Sequence, residues 1–134
     1  MKPRPRPTAP IKPGRRPTAP TSAKPRGSEG AEYVIVWRFQ VKPGREAEFE
    51  RMYGPTGEWA TFFTTDSKCH GTVLVRDAAR AGSYVTIDTW ASRAAYETFR
   101  AWNRAAYAAL DRRGEELTVE ETAIAAGESV GGEP

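Results

Sequence analysis

Tyr84-Val85-Thr86-Ile87-Asp88-Thr89-Trp90-Ala91-Ser92-Arg93-Ala94-Ala95-Tyr96 changes its period partway along. Through Ala91 the side chains are mostly β-branched or aromatic, which predicts a strand over Ser83 to Ala91. Ser92 then suits a helix N-cap. From Arg93 to about Arg112 the residues Ala95, Phe99, Trp102, Ala106 and Leu110 recur at helical spacing. Arg112 and Arg113 suit the negative end of the helix dipole, and Gly114 is expected to end the helix.

Working outward, Cys69 to Arg76 reads as a strand. The polar loop Asp77 to Gly82 joins it to the next strand as a hairpin. Further upstream, Tyr33, Ile35, Trp37, Phe39 and Val41 alternate with Val34, Val36, Arg38 and Gln40, so Tyr33 to Val41 is a strand. Lys42-Pro43-Gly44 turns the chain into a helix over Arg45 to Tyr53, with Phe49, Met52 and Tyr53 on one side. Gly54-Pro55-Thr56-Gly57 must interrupt that helix. Glu58 to Thr64 resumes it, carrying Trp59, Phe62 and Phe63. Downstream, Leu117 to Ala125 is a fourth strand.

The predicted order is β-α-β-β-α-β, an α+β, ferredoxin-like antiparallel sheet. Helices in such a fold cover one sheet face. These strands carry apolar side chains on both faces, which argues for a second subunit on the open one. Which face lines a cavity stays undecided from the pattern.

Composition divides the chain. Eight of the 11 prolines lie in residues 1–30, with eight Lys/Arg against Glu29, a net charge of +7. The remainder is net −4, and it holds all four Trp, five Tyr and five Phe. An imperfect ten-residue repeat, Arg6-Pro7-Thr8-Ala9-Pro10 and Arg16-Pro17-Thr18-Ala19-Pro20, has almost nothing apolar to offset ordering entropy. The expected organisation is a disordered basic arm at 1–30, a domain at 31–126 and a disordered tail at 127–134. The arm could bind polyanions through residues 2–26 by counterion release, but it lacks aromatics for base stacking. A merely solubilising extension is the plainer reading. The lone Cys69 excludes an intrachain disulfide. No apolar run is long enough to span a membrane, and no apolar segment follows the basic N-terminus as a secretory signal requires. A cytoplasmic location is expected.

Three blocks carry a family likeness. They are Phe39-Gln40-Val41-Lys42-Pro43-Gly44-Arg45-Glu46-Ala47-Glu48-Phe49, then Gly71-Thr72-Val73-Leu74, then Tyr84 to Tyr96 as quoted above. Over about residues 33–126 the chain resembles the antibiotic biosynthesis monooxygenase family. The resemblance implies a dimeric α+β barrel and a cofactor-independent monooxygenase acting on an aromatic or polyketide-like phenol. Founding members are similar in using an Asn, a Trp four residues later and a Tyr six beyond that. Trp90 and Tyr96 fall in register, whereas the Asn position is Thr86, whose hydroxyl cannot reproduce a carboxamide's paired donor and acceptor. Related heme-degrading proteins place a His on the second helix. None stands there in this chain, so heme degradation is disfavoured.

The expected catalytic residues are therefore Trp90, Tyr96 and Thr86, although large aromatics more often serve packing. Thr86, Asp88 and Trp90 share one strand face by period two. A carboxylate there lines a cavity, or else is paired or caps backbone. His70 is a candidate substrate contact only by its titration range, and it cannot pair with Cys69, since adjacent strand residues point to opposite faces. Phe99 and Asn103, with Tyr107, could line the same cavity. No metal-ligand spacing, phosphate loop, dinucleotide fingerprint or hydrolase elbow occurs, so neither metal nor cofactor is expected. The residues also allow a non-catalytic barrel that binds a small ligand, or a protein that acts through its basic arm.

Overall fold

Strict alternation sets the first element. In β1, Tyr33–Val41, every odd residue is buried and every even one half-buried. A turn through Gly44, at φ 87°, leads into α1, Glu46–Tyr53, which buries Phe49, Met52 and Tyr53. The expected interruption follows. A Cβ on Gly57 would lie 2.3 Å from the carbonyl oxygens of Arg51 and Met52, so only glycine lets the chain double back so tightly. The helix resumes as α2, Glu58–Phe63. β2, Cys69–Arg76, and β3, Ser83–Trp90, form the predicted hairpin. The Ser92 hydroxyl caps α3, Arg93–Trp102, by accepting from the Ala95 N–H at 3.0 Å. Then come α4, Arg104–Glu115, and β4, Thr118–Glu128. This computed structural model describes residues 31–130. The basic arm and residues 131–134 of the tail lie outside the described residues.

The four strands order as β2-β3-β1-β4 with every neighbouring pair antiparallel. This is the α+β, ferredoxin-like sheet that the pattern predicts. Register places Tyr84, Thr86, Asp88 and Trp90 of β3 opposite Phe39, Trp37, Ile35 and Tyr33 of β1. All eight therefore share the face that the helices cover. On the other face Val73 and Val75 are exposed, and Val34, Val36, Val85 and Ile87 are half-buried. That face turns polar at Arg38, which pairs with Asp77 at 3.3 Å. No helix among the described residues is long and apolar enough to cross a membrane.

Four expectations are corrected. The second long helix is broken at Asn103, whose side-chain amide donates to the Phe99 carbonyl at 2.9 Å and so competes with regular helix hydrogen bonding. The buried stripe runs through Tyr96, Phe99, Tyr107 and Leu110, while Trp102 is 83% exposed and Ala106 is exposed as well. Gly114 lies inside α4 instead of ending it, because the Tyr53 hydroxyl occupies the space where its Cβ would stand. Finally, β4 runs on past Ala125. Gly127 and Glu128 pair with Val34 and Tyr33, so the first residues of the expected tail are strand.

Candidate functional site

Between the helices and the sheet lies a cavity of about 40 Å³. Ile35, Trp37 and Phe39 form its β1 wall, and Thr72, Thr86 and Asp88 its floor on β2 and β3. Tyr53, Trp59 and Phe63 close it from α1 and α2, and Tyr96 and Tyr107 from α3 and α4. The space is thus mostly aromatic, with a few polar groups converging on it.

Asp88 is the charged member. It faces Ile35 on one neighbouring strand and Thr72 on the other. Its Oδ1 accepts from the Thr72 hydroxyl at 2.5 Å. Protein surrounds the carboxyl, and the residue keeps partial accessibility where it faces the cavity. No arginine or lysine among the described residues is salt-bridged to it. Burial pushes the carboxyl up to about 6, against the smaller opposing effect of the Thr72 hydrogen bond.

The Tyr96 and Tyr107 hydroxyls lie 3.4 Å apart. Burial first, and Tyr107 next, hold the Tyr96 phenol well above the usual tyrosine range. Tyr96 is therefore a neutral hydrogen-bond donor at physiological pH. The Arg100 guanidinium covers both rings, 4.7 Å from the Tyr107 centroid and 5.8 Å from that of Tyr96. The Trp59 indole N–H is buried without a hydrogen-bond partner among the described residues. Tyr107 also lines an outer groove of about 430 Å³ between α3 and α4, together with Arg100, Arg104 and Arg112. One side chain thus walls both spaces.

Of the residues singled out from the sequence, Thr86, Asp88 and Tyr96 meet in the cavity. Trp90 does not line it. That indole is fully buried behind Tyr96, with ring centroids 5.6 Å apart, and packs on Phe63 and Phe99. Phe99 is buried core, stacked among Phe62, Phe63 and Trp90. Asn103 breaks the helix and stays off the cavity lining. His70 lies outside it as well, its Nδ1 2.7 Å from Glu32 on the surface, while the adjacent Cys69 is buried. Sequence reasoning missed Thr72, Trp59 and Phe63 as lining. Thr72 could have been found by counting the hairpin outward from its loop, which pairs 72 with 88. Asp111, Glu115 and Glu121 bring carboxylate oxygens within 4.8 Å of one another, the one such group with metal-ligand potential among the described residues, and it is not part of the cavity.

The family model for antibiotic biosynthesis monooxygenase matches residues 32–109. The fold is similar to that of SnoaB, a cofactor-independent oxygenase from Streptomyces nogalater, with TM-score 0.56 and 27% identity over 75% of this chain and 97% of that one. A variant of SnoaB is similar at TM-score 0.57 and 26% identity, covering 70% and 91% of the two chains. A protein from Bordetella bronchiseptica assigned to the same monooxygenases shares the fold at TM-score 0.56 and 21% identity, covering 75% and 96%. No curated protein sequence matches the chain. With more than half its length matched by the family model and an α+β sheet of the same architecture around an aromatic cavity, this chain belongs to the antibiotic biosynthesis monooxygenase family.

Proposed function

We propose that the chain is a cofactor-independent monooxygenase that oxidises an electron-rich aromatic, of the phenol or anthrone type, in the cavity under α3 and α4. The observation that carries this reading is the cavity itself, in which aromatic walls surround Thr86, Asp88 and Tyr96. A substrate of this class supplies its own electrons to dioxygen once it is an anion. The protein's task is then to hold the ring, exclude water and stabilise the charge. Ile35, Trp37, Phe39 and Phe63 hold the ring. Tyr96, kept neutral by burial, donates to the charged oxygen. Thr86 and Asp88 orient the polar edge. The likeness to SnoaB supports the reaction class.

At about 40 Å³ the cavity has room for about three waters, while ligand sites run to about 300–1,000 Å³. Substrate therefore enters by displacing Tyr107, which joins the cavity to the outer groove. The apolar open face of the sheet packs on a second copy of the chain, forming the homodimeric barrel. A second reading, a non-catalytic dimeric barrel that binds a small ligand, is favoured by Thr86 standing where founding members have Asn. Turnover separates the two. Purified protein mixed with dithranol (a dihydroxyanthrone) and a panel of naphthols should accelerate oxygen uptake and quinone formation; background rates across the panel leave only the binding module.

A further inference from the structure

We infer that Asp88 is the proton acceptor of this site, its carboxylate taking the acidic proton of the bound aromatic while Tyr96 donates to the oxygen on which the charge settles. The inference rests on the oxygenase reading and adds the group that starts the reaction.

Position carries the argument. Among the described residues Asp88 is the only carboxylate lining the cavity, and it sits on the sheet floor with Thr86 two residues before it on the same face. Its Oδ1 is held by the Thr72 hydroxyl. Among the described residues no hydrogen bond holds its Oδ2, and the residue lines the cavity. That leaves one anchored oxygen and one available oxygen, the arrangement a base needs. The alternatives fall away one by one. The Thr86 hydroxyl is too weakly basic, His70 is on the surface, and Tyr96 is held neutral.

The surroundings tune the group. The titratable side chains that face it are Tyr96 from α3, Tyr107 from α4, Tyr53 from α1 and Cys69 from β2. Tyr96 and Cys69 are both raised, chiefly by burial, with the Asp88 charge a lesser contributor to each. The Arg100 guanidinium lies over the Tyr96 and Tyr107 rings. A desolvated carboxyl at about 6 is a stronger base than an ordinary one, yet is still ionised at neutral pH.

The chemistry balances. The Asp88 carboxylate removes a proton from the ring methylene of an anthrone, leaving an anion. The anion transfers electrons to dioxygen and bonds to it at that carbon, and the Asp88 carboxylic acid protonates the distal oxygen. The regenerated carboxylate removes the second hydrogen from the same carbon. The O–O bond breaks, a carbonyl forms, and the released hydroxide takes up the proton as water. The substrate loses four electrons and dioxygen accepts them, with one oxygen atom in the carbonyl and the other in water.

The test separates proton removal from oxidation. Dithranol is mixed with the protein without oxygen, and the absorbance of its bound anion is followed by stopped flow across pH 4–9. Wild type should form the anion at a rate that rises through about pH 6 and then levels. Asp88→Asn should form it at least about 10²-fold more slowly, with an unchanged near-UV spectrum. Thr72→Val, which keeps the base but frees its anchored oxygen, should move the pH midpoint upward. Anion formation by Asp88→Asn at the wild-type rate would overturn the assignment while leaving the oxygenase reading intact, provided that aerobic turnover persists. If wild type forms no anion and consumes no oxygen, both readings fall together.

Discussion

The Thr72 hydroxyl donates to the Asp88 carboxylate at 2.5 Å across the β2–β3 pair, and no other side chain among the described residues hydrogen-bonds that carboxylate. The pair has a consequence for stability. The folded carboxyl titrates at about 6, above its ordinary 3.8, so the fold favours the protonated form. Below about pH 4 folded and unfolded chains are both protonated, and the group costs nothing. Between about 4 and 6 the unfolded chain releases its proton first, so stability falls as pH rises, and it stays low above 6. A shift of about two units corresponds to roughly 3 kcal/mol. Asp88→Asn should therefore gain stability relative to wild type as pH rises from 4 to 7, by up to about 3 kcal/mol less the cost of burying the amide. Urea unfolding at several pH values checks this; a difference that does not vary with pH would contradict it.

Tyr96 and Trp90 should separate when substituted. Tyr96→Phe removes the neutral donor from the cavity wall, and turnover should drop about 10²-fold while stability changes by only about 1 kcal/mol. Trp90 touches no cavity space, so Trp90→Phe should act through packing against Phe63, Tyr96 and Phe99. A lower melting temperature with kcat reduced less than tenfold is the expected result. Equal kinetic losses in the two variants would mean that the indole works in the chemistry.

Gly114 makes a structural test of the helix–helix contact. A Cβ there would lie 2.0 Å from the Tyr53 hydroxyl oxygen and 3.1 Å from its ring carbon. Alanine ordinarily favours a helix interior by up to about 1 kcal/mol, yet Gly114→Ala should destabilise by about 1–3 kcal/mol through overpacking. Adding Tyr53→Phe clears the nearest atom and should recover part of the loss. If Gly114→Ala alone raises the melting temperature, the placement of α4 against α1 is wrong.

The exposed valines of β2, with Val34, Val36, Val85 and Ile87, form an apolar face that water covers poorly. In the proposed dimer this face is buried, over more than about 1,000 Å² if the association is stable. Light scattering at micromolar concentration should give twice the chain mass, and Val73→Lys with Val75→Lys should shift it toward monomer. A monomeric wild type would remove the dimer from the account.

Local signals were strong where one residue type dictates one outcome. The Tyr33–Val41 alternation fixed a strand and its buried face, and Ser92 and the Gly54–Gly57 interruption marked helix boundaries. The long helix misled because its true stripe passes through polar Asn103 and side-chain-free Gly114, while apolar Trp102 and Ala106 point outward. β4 outruns its sequence pattern because Gly127 and Glu128 disfavour strands, and pairing with β1 overrides that. In the site, period two put Thr86 and Asp88 on one face. It could not say that the face meets Tyr107, or that Trp90 lies behind Tyr96 instead of lining the cavity, since both depend on how α3 and α4 dock.

The central claim is that the cavity under α3 and α4 inserts one atom of dioxygen into an aromatic. Turnover of dithranol by metal-chelated, flavin-free protein under isotopically labelled dioxygen tests it most directly. The account predicts catalysed quinone formation with one labelled oxygen in the new carbonyl, one dioxygen consumed per quinone, and loss of the catalysed part in Tyr96→Phe. Quinone formed no faster than in buffer, or a carbonyl oxygen drawn from water, would contradict it.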